Sequence, residues 1–382
     1  MKIGLVSFHT FSKPGGVKNH ILGLAKEFKK KGIEIKIIVP RRKAKENYGE
    51  DVIILGTSLP FNLFGTQGDL CFNFNARAIT KLFEKEKFDV LHFHNFIIPS
   101  ALQMIEKSES LNILTFHASL EGVNRSNTFN TLFNLYKKLI YKKVDGIITV
   151  SKFVSNYFND FNGPRAVIPN GIDLNKFNPN VPKIKRFKGN KINILFVGRI
   201  EERKGLIYLL KAYEILLKKF QNLIRLIIVG DGPQREECED FVKKRKLKNV
   251  FFVGKKNEDE VPYYFSTADI FCAPSLFGES FGIVLLEAMA TKKPVVAFAN
   301  NGYRELLEGK AAEQFLVKPK DYIDLAKKLE ILIKDKKLRE EVGEKLYIDA
   351  QSYSWPVVAN MVLDFYNYCL IEKSKKNTRD KK

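Results

Sequence analysis

Residues 274 to 298 read PSLFGESFGIVLLEAMATKKPVVAF and hold two carboxylates eight positions apart. Glu279 lies in a turn rich in Gly and Ser, and Glu287 lies on the apolar helix that follows. Carboxylates accept hydrogen bonds from hydroxyls, so the pair suits a polyol such as a sugar and a ribose. Glu287 stands alone within LLEAMA, where a buried acid needs a partner. Gly282 at the first turn of a helix costs about 1 kcal/mol against Ala, which points to something approaching that backbone closely. The first amides, around Ser280, Phe281, Gly282 and Ile283, are then placed to hold phosphate at the positive end of the helix.

Two further segments offer an anion site. In VGRIEERKG, Arg199 and Lys204 leave a strand end just before a helix. Helix starts favour acids over bases, so cations there make sense if they face a diphosphate. In HTFSKPGGVKNH, Gly15 and Gly16 open a helix after the first strand and leave its amides bare. His117 ends the run NILTFH, where a core role and a chemical role are equally open.

These residues need a scaffold that brings strand ends together. Short β-branched runs (IGLVSF, EIKIIVP, DVIILG, DVLHFH, NILTFHA, GIITVS, AVIPNG) alternate with amphipathic stretches such as Val17 to Lys31 and Ala76 to Lys87. The rhythm restarts with INILFVG, LIIVGDG, VFFVG, IFCAPS, PVVAFA and QFLV. Alternation of this kind predicts βαβ units and parallel, doubly covered sheets. The expected organisation is α/β, with a Rossmann-like domain over 1–173, a linker over 174–190 and a second such domain over 191–354. A helix over 355–372 is expected to return to the first domain, and KSKKNTRDKK (373–382) to form a basic disordered tail. In open α/β sheets ligands bind beyond the carboxyl ends of strands, so the expected site is a cleft that the two domains face.

Composition narrows the class. The 382 residues are 45% hydrophobic and 28% charged, as in a globular protein. No apolar run is long enough to span a bilayer, and MKIGLVSFHT reads as a first strand rather than a signal peptide, so a cytoplasmic location is expected. Cys71, Cys238, Cys272 and Cys369 are far apart and support neither a disulfide framework nor a metal site. No D-x-D pair for a divalent metal is present. The net charge of +21 draws polyanions of any kind. Nucleic acid is the weakest of these, because RNP, KH and zinc motifs are absent.

The segments PGGV, TFHAS, NGID, GRIEERKG and GESFGIVLLEAMA, matching in this order along the chain, resemble the retaining glycosyltransferases of family 4. PGGVKNHILGLA, FDVLHFHNFIIPSAL and IPNGID are most similar to the bacterial phosphatidylinositol α-mannosyltransferases within it. The resemblance extends to about Ile371. It implies a two-domain GT-B fold and transfer of a hexose, best taken as mannose from GDP-mannose, onto a hydroxyl of a glycolipid such as phosphatidylinositol. It also implies roles: Gly15 and Gly16 at the donor's distal phosphate, Arg199 and Lys204 on the diphosphate leaving group, Glu279 on the transferred sugar, Glu287 on the ribose, and His117 near the reacting carbon. No metal ligand is implied; magnesium would accompany only the donor's diphosphate. One departure concerns the acceptor. An Arg expected before the helix at Ala76 is missing, since GTQGDLCFNFNAR has no base between Lys45 and Arg77.

A lipid acceptor calls for a docking face. Arg77, Lys81 and Lys85 recur every four residues, and TLFNLYKKLIYKKVD interleaves Lys137 and Lys138 with apolar and aromatic residues. Both stretches suit an anionic membrane surface, and hence a peripheral position on the inner face of the cell membrane. A family 4 enzyme that builds a polysaccharide, another glycolipid or a thiol precursor from a UDP-sugar is the competing expectation.

Overall fold

The structure is a computed structural model, and it describes residues 1–12, 15–43, 45–63, 66–72, 76–95, 98–121 and 127–379. The chain divides into two compact units, Met1–Gly171 with Trp355–Lys382, and Ile172–Ser354.

In the first unit the strands are β1 (Lys2–Ser7), β2 (Glu34–Arg41), β3 (Val52–Leu63), β4 (Thr66–Phe72), β5 (Val90–His94), β6 (Leu111–Phe116), β7 (Gly146–Thr149) and β8 (Arg165–Val167). Between them run helices α1 (Gly16–Lys30), α2 (Ala76–Glu86), α3 (Pro99–Lys107), α4 (Asn127–Tyr141) and α5 (Lys152–Ser155). The sheet order is β4-β3-β2-β1-β5-β6-β7-β8. Every pairing is parallel except β3 with β4, whose register runs from Thr57↔Phe72 to Leu63↔Thr66. Strand β4 falls in a stretch that the sequence reads as a loop, because its Gly, Gln and Asp depress strand propensity. Residues 73–75, in the segment where an acceptor Arg was expected, lie outside the described residues.

The second unit contains β9 (Ile192–Val197), α6 (Leu206–Phe220), β10 (Ile224–Val229), α7 (Arg235–Lys244), β11 (Val250–Gly254), α8 (Val261–Thr267) and β12 (Ile270–Ala273). It continues through α9 (Ile283–Ala290), β13 (Val295–Phe298), α10 (Asn301–Leu307), β14 (Leu316–Val317), α11 (Tyr322–Lys334) and α12 (Lys336–Gln351). Its sheet is wholly parallel in the order β11-β10-β9-β12-β13-β14. That order reverses direction between β9 and β12, as the first sheet does between β1 and β5. Such switch points open a crevice at the strand ends. The expected linker packs into this unit: Phe177 and Phe187 are buried, with their rings against Phe265 and Phe251.

The chain ends in α13 (Trp355–Arg379). Its Val358, Ala359, Val362, Phe365, Tyr366 and Cys369 share one face and join Ile21, Leu24 and Phe28 of α1 in the core of the first unit. Each Val, Ile, Leu or Phe among them contributes roughly 1.5–3 kcal/mol on burial. The Tyr366 hydroxyl lies 2.6 Å from His92 Nδ1, which fixes the helix against β5. Residues 373–379 are not a tail, as the sequence suggested, but the last turns of α13. Lys373 anchors them through Asp145 and the Ser110 carbonyl, both at 2.9 Å. All four cysteines are buried free thiols.

Candidate functional site

The switch point of the second unit gathers charge. The loop leaving β9 carries Arg199, Glu201, Arg203 and Lys204, and the loop leaving β12 carries Glu279. Glycine couples the two loops: Gly205 has φ 64°, and a Cβ there would stand 2.1 Å from the Pro274 carbonyl oxygen. The Leu276 amide also donates to the Arg203 carbonyl at 2.8 Å. Only a residue without a side chain lets the backbones close to this distance.

Across this junction the charges alternate. Glu201 takes Arg199 at 3.2 Å and Arg203 at 2.9 Å, while Glu279 Oε1 accepts from both Arg203 Nη1 and Lys204 Nζ at 2.7 Å. Burial alone would raise the Glu279 carboxyl, but Lys204 and Arg203 outweigh it and hold it below its ordinary value. Burial would likewise lower Arg203, and Glu279 and Glu201 more than offset it. Three cations against two carboxylates leave an excess positive charge where a diphosphate could take up the cations, with Glu279 set free for hydroxyls.

Gly282, the N-cap of α9, has φ 114°, and a Cβ there would lie 2.8 Å from the Tyr303 ring. The fold itself therefore requires this glycine, whatever approaches from outside. Tyr303 is held by Ser275 Oγ at 3.1 Å and by Asn300, whose Oδ1 accepts from the Tyr303 amide at 3.0 Å. Phe281 is buried and packs on Tyr353, Ser280 and Ile283 are half-buried, and no side chain caps the first turn of α9.

One turn along, the Glu287 carboxyl is half-buried and has no hydrogen-bond partner among the described residues. Burial pushes it up to about 8, Glu258 adds to the effect and Lys176 opposes it. A carboxyl kept uncharged at neutral pH awaits a partner that would favour its ionised form.

In the first unit the switch point is built from imidazoles. His94 ends β5 and His117 follows β6, with His94 Nδ1 and His117 Nε2 3.1 Å apart. The His117 amide donates to Asn95 Oδ1 at 2.9 Å, which fixes the ring's position at the strand end. Burial, then the neighbouring rings, holds His92, His94 and His117 well below the ordinary imidazole range, and burial holds His20 at about 4. Neutral rings of this kind exchange hydrogen bonds with hydroxyls without bringing in charge. Gly15 and Gly16 are exposed at the start of α1, where no acid or capping side chain among the described residues occupies the first turn.

The sequence singles out Arg199, Lys204 and Glu279 but passes over Arg203, Glu201, His20 and His94. Arg203 carried one usable signal, its place beside Lys204 in a strand-end loop. Its partner Glu279 is 76 positions away, beyond any local pattern. The basic residues intended for a membrane divide. Arg77, Lys81, Lys85 and Lys138 are exposed. Lys137 does not belong with them: it is 5% exposed and donates to Asp160 Oδ1 and the Tyr157 carbonyl, both at 2.8 Å. The face of α4 that does meet solvent carries Leu132, Leu135 and Leu139, at 61%, 58% and 41% exposure.

Comparison with known proteins adds identity to this geometry. Residues 177–348 match the family described as "Glycosyl transferases group 1", and residues 14–176 match "Glycosyltransferase Family 4". A phosphatidyl-myo-inositol mannosyltransferase of Mycolicibacterium smegmatis is 30% identical over 96% of this chain and 93% of its own. That of Mycobacterium leprae is 30% identical over 98% and 99%. Among solved structures, sucrose-phosphate synthase from Thermosynechococcus elongatus superposes with a TM-score of 0.76 at 20% identity, covering 97% of this chain and 99% of that one. Anabaena Alr3699/HepE, solved with UDP and glucose, gives 0.73 at 20% identity over 96% and 100%.

Proposed function

The chain belongs to glycosyltransferase family 4 and has the GT-B fold, and on that premise we propose that it moves mannose from GDP-mannose, with retention, onto a phosphatidylinositol-type acceptor. The observation that carries the donor reading is the pair of 2.7 Å contacts from Lys204 and Arg203 to Glu279. An arriving diphosphate exchanges partners with Glu279. The cations turn to phosphate, and the freed carboxylate accepts hydroxyls of the sugar. Glu287 accepts the ribose hydroxyls and ionises as it does so, while Gly15 and Gly16 offer amides to the outer phosphate. The mannose and inositol-lipid choices follow the relatives that are 30% identical over nearly the whole chain.

The bond from the sugar's anomeric carbon to the diphosphate oxygen breaks through an oxocarbenium-like state. The acceptor hydroxyl attacks from the same face and passes its proton to the departing phosphate. Preorganised cations stabilise the charge that develops on that phosphate. We assign magnesium, where it takes part, to the donor's diphosphate rather than to a protein site. His117 offers a neutral hydrogen-bonding group to a sugar hydroxyl.

No helix among the described residues is long and apolar enough to cross a membrane. We assign the approach to lipid to two helix faces of the first unit. The exposed Leu132, Leu135 and Leu139 of α4 lie beside Lys138, and α2 presents Arg77, Lys81 and Lys85. Apolar residues among bases suit the cytoplasmic surface of an anionic bilayer. The test is incubation of the purified chain with radiolabelled GDP-mannose and phosphatidylinositol vesicles. Label moving into the lipid phase supports the reading. Label that stays with the nucleotide there but moves from a UDP-sugar would keep the enzyme class and discard both mannose and the inositol lipid.

A further inference from the structure

The chain has five histidines, and all of them lie in the first unit, linked through one set of ring contacts and hydrogen bonds. His92 shows an imidazole that the fold alone accounts for. Its Nε2 lies 2.6 Å from Thr115 Oγ1 and its Nδ1 2.6 Å from the Tyr366 hydroxyl. His20 and His94 differ. They are 2% and 0% exposed, and Nε2 of each has no hydrogen-bonding partner among the described residues. Leaving a buried polar atom unpaired costs about 1–3 kcal/mol, so the bare Nε2 of His20 needs a reason.

Asn170 supplies part of it. Its Oδ1 lies 3.0 Å from His20 Nδ1 and accepts that nitrogen's proton, so the lone pair of His20 stands on the bare Nε2. An imidazole whose outer N–H is held by a carbonyl, with its inner lone pair unused, is oriented as metal-ligating histidines are. The spacing of the other two rings is close to that of metal ligands. Zinc–nitrogen bonds of about 2.0–2.1 Å place tetrahedral ligand atoms about 3.3 Å apart. His94 Nδ1 and His117 Nε2 already lie 3.1 Å apart. One ring nitrogen from each of His20, His94 and His117 falls within 4.8 Å of the other two, so closure needs shifts on the order of 1 Å in side chains. His117 is half-buried, which gives an ion a way in and leaves room for water as a fourth ligand.

We propose that His20, His94 and His117 form a binding site for one divalent transition-metal ion, zinc being the best match to three imidazoles, with Asn170 as the positioning residue behind His20. The linear sequence gave no sign of this, since the three ligands are spread over α1, β5 and the end of β6. The site stands whether or not the chain transfers sugar. Its consequence rests on the role given to His117 above: an ion on that ring withholds it from substrate, and occupancy inhibits transfer.

Metal binding without turnover separates the two. Full-length chain free of any histidine tag is stripped with chelator and titrated with Co²⁺ alone, followed by visible absorption, and Zn²⁺ is then added. One equivalent of Co²⁺ is expected to develop the ligand-field bands of a four- or five-coordinate nitrogen site, and one equivalent of Zn²⁺ to bleach them. His20→Gln loses the bands. Asn170→Ala, the milder change, weakens uptake about tenfold or more, with the far-UV circular dichroism unchanged. Wild-type chain that takes up no stoichiometric Co²⁺ or Zn²⁺ below about 100 µM overturns the site, as does His20→Gln that binds as well as wild type.

Discussion

In the first unit the strands that part at the switch point, β1 and β5, end among neutral, buried imidazoles; in the second, β9 and β12 end among alternating full charges. The strand order at the two places is alike, so topology makes the crevice and leaves its chemistry open. The difference lies in what the loops carry. A loop of EERKG type against Glu279 creates an ion network that an arriving anion can reorganise. Histidines on apolar strands create a set of uncharged donors and acceptors that suits hydroxyls. A reaction that expels a diphosphate while accepting an alcohol uses both kinds of surface.

Substitutions can break this comparison, and the charged side should show the largest effect. Lys204→Ala is expected to lower transfer about a hundredfold, in line with loss of one preorganised charge donor, with Glu279→Ala falling at least tenfold. Circular dichroism should be unchanged in both, and a near-normal rate in either would remove the network from the mechanism. On the imidazole side, His117→Gln should cut transfer at least tenfold yet leave GDP affinity within about twofold. Equal losses in both would mean that the two units do not divide the work as described.

Glu287 gives a subtler contrast, read in stability. Its folded value of about 8 lies above the ordinary 4.5. The folded chain therefore keeps a proton that the unfolded chain has lost, and the stability this confers is full below pH 4.5 and fades as pH rises through 8. Glu287→Gln should leave stability unchanged near pH 4.5 and raise it by roughly 2 kcal/mol at pH 8, a figure reduced for the partial exposure of the carboxyl. Thermal melts of both chains from pH 4.5 to 9 decide this, and parallel curves would contradict it. Smallest is the membrane effect. Lys138→Glu should weaken co-sedimentation with anionic vesicles several-fold, at about 1 kcal/mol per base, whereas Lys137→Glu should act through folding. Equal pelleting of wild type with neutral and anionic vesicles would remove the electrostatic attraction.

Much of the architecture was legible because buried parallel strands announce themselves as continuous β-branched runs, and β9, β10 and β12 read this way. Strand β4 was not, since its pairing is decided by β3 and not by its own residues. At the site, Lys204 and Glu279 could be placed at strand ends, but their meeting at 2.7 Å, with Arg203 on the same oxygen, is a long-range fact. At Gly282 the sequence points to a ligand's approach, and the structure gives a nearer cause in its own φ and the Tyr303 ring. Lys137 and Lys138 show how one residue, about 100° around a helix, separates a buried, paired lysine from a solvent-facing base. The extension of α13 to Arg379 was hidden by its Lys-rich composition, and its anchors, Asp145 and Ser110, lie in the loops before β7 and β6.

The most direct measurement is calorimetric titration of GDP and GMP, with UDP and UMP beside them, into wild type and Lys204→Ala. If the alternating charges of the second unit form a diphosphate site, wild type binds one diphosphate at least tenfold more tightly than its monophosphate, and Lys204→Ala erases most of that difference. Lys204→Ala that keeps the full preference for diphosphate, or wild type that prefers neither diphosphate, would contradict the assignment of the charged switch point.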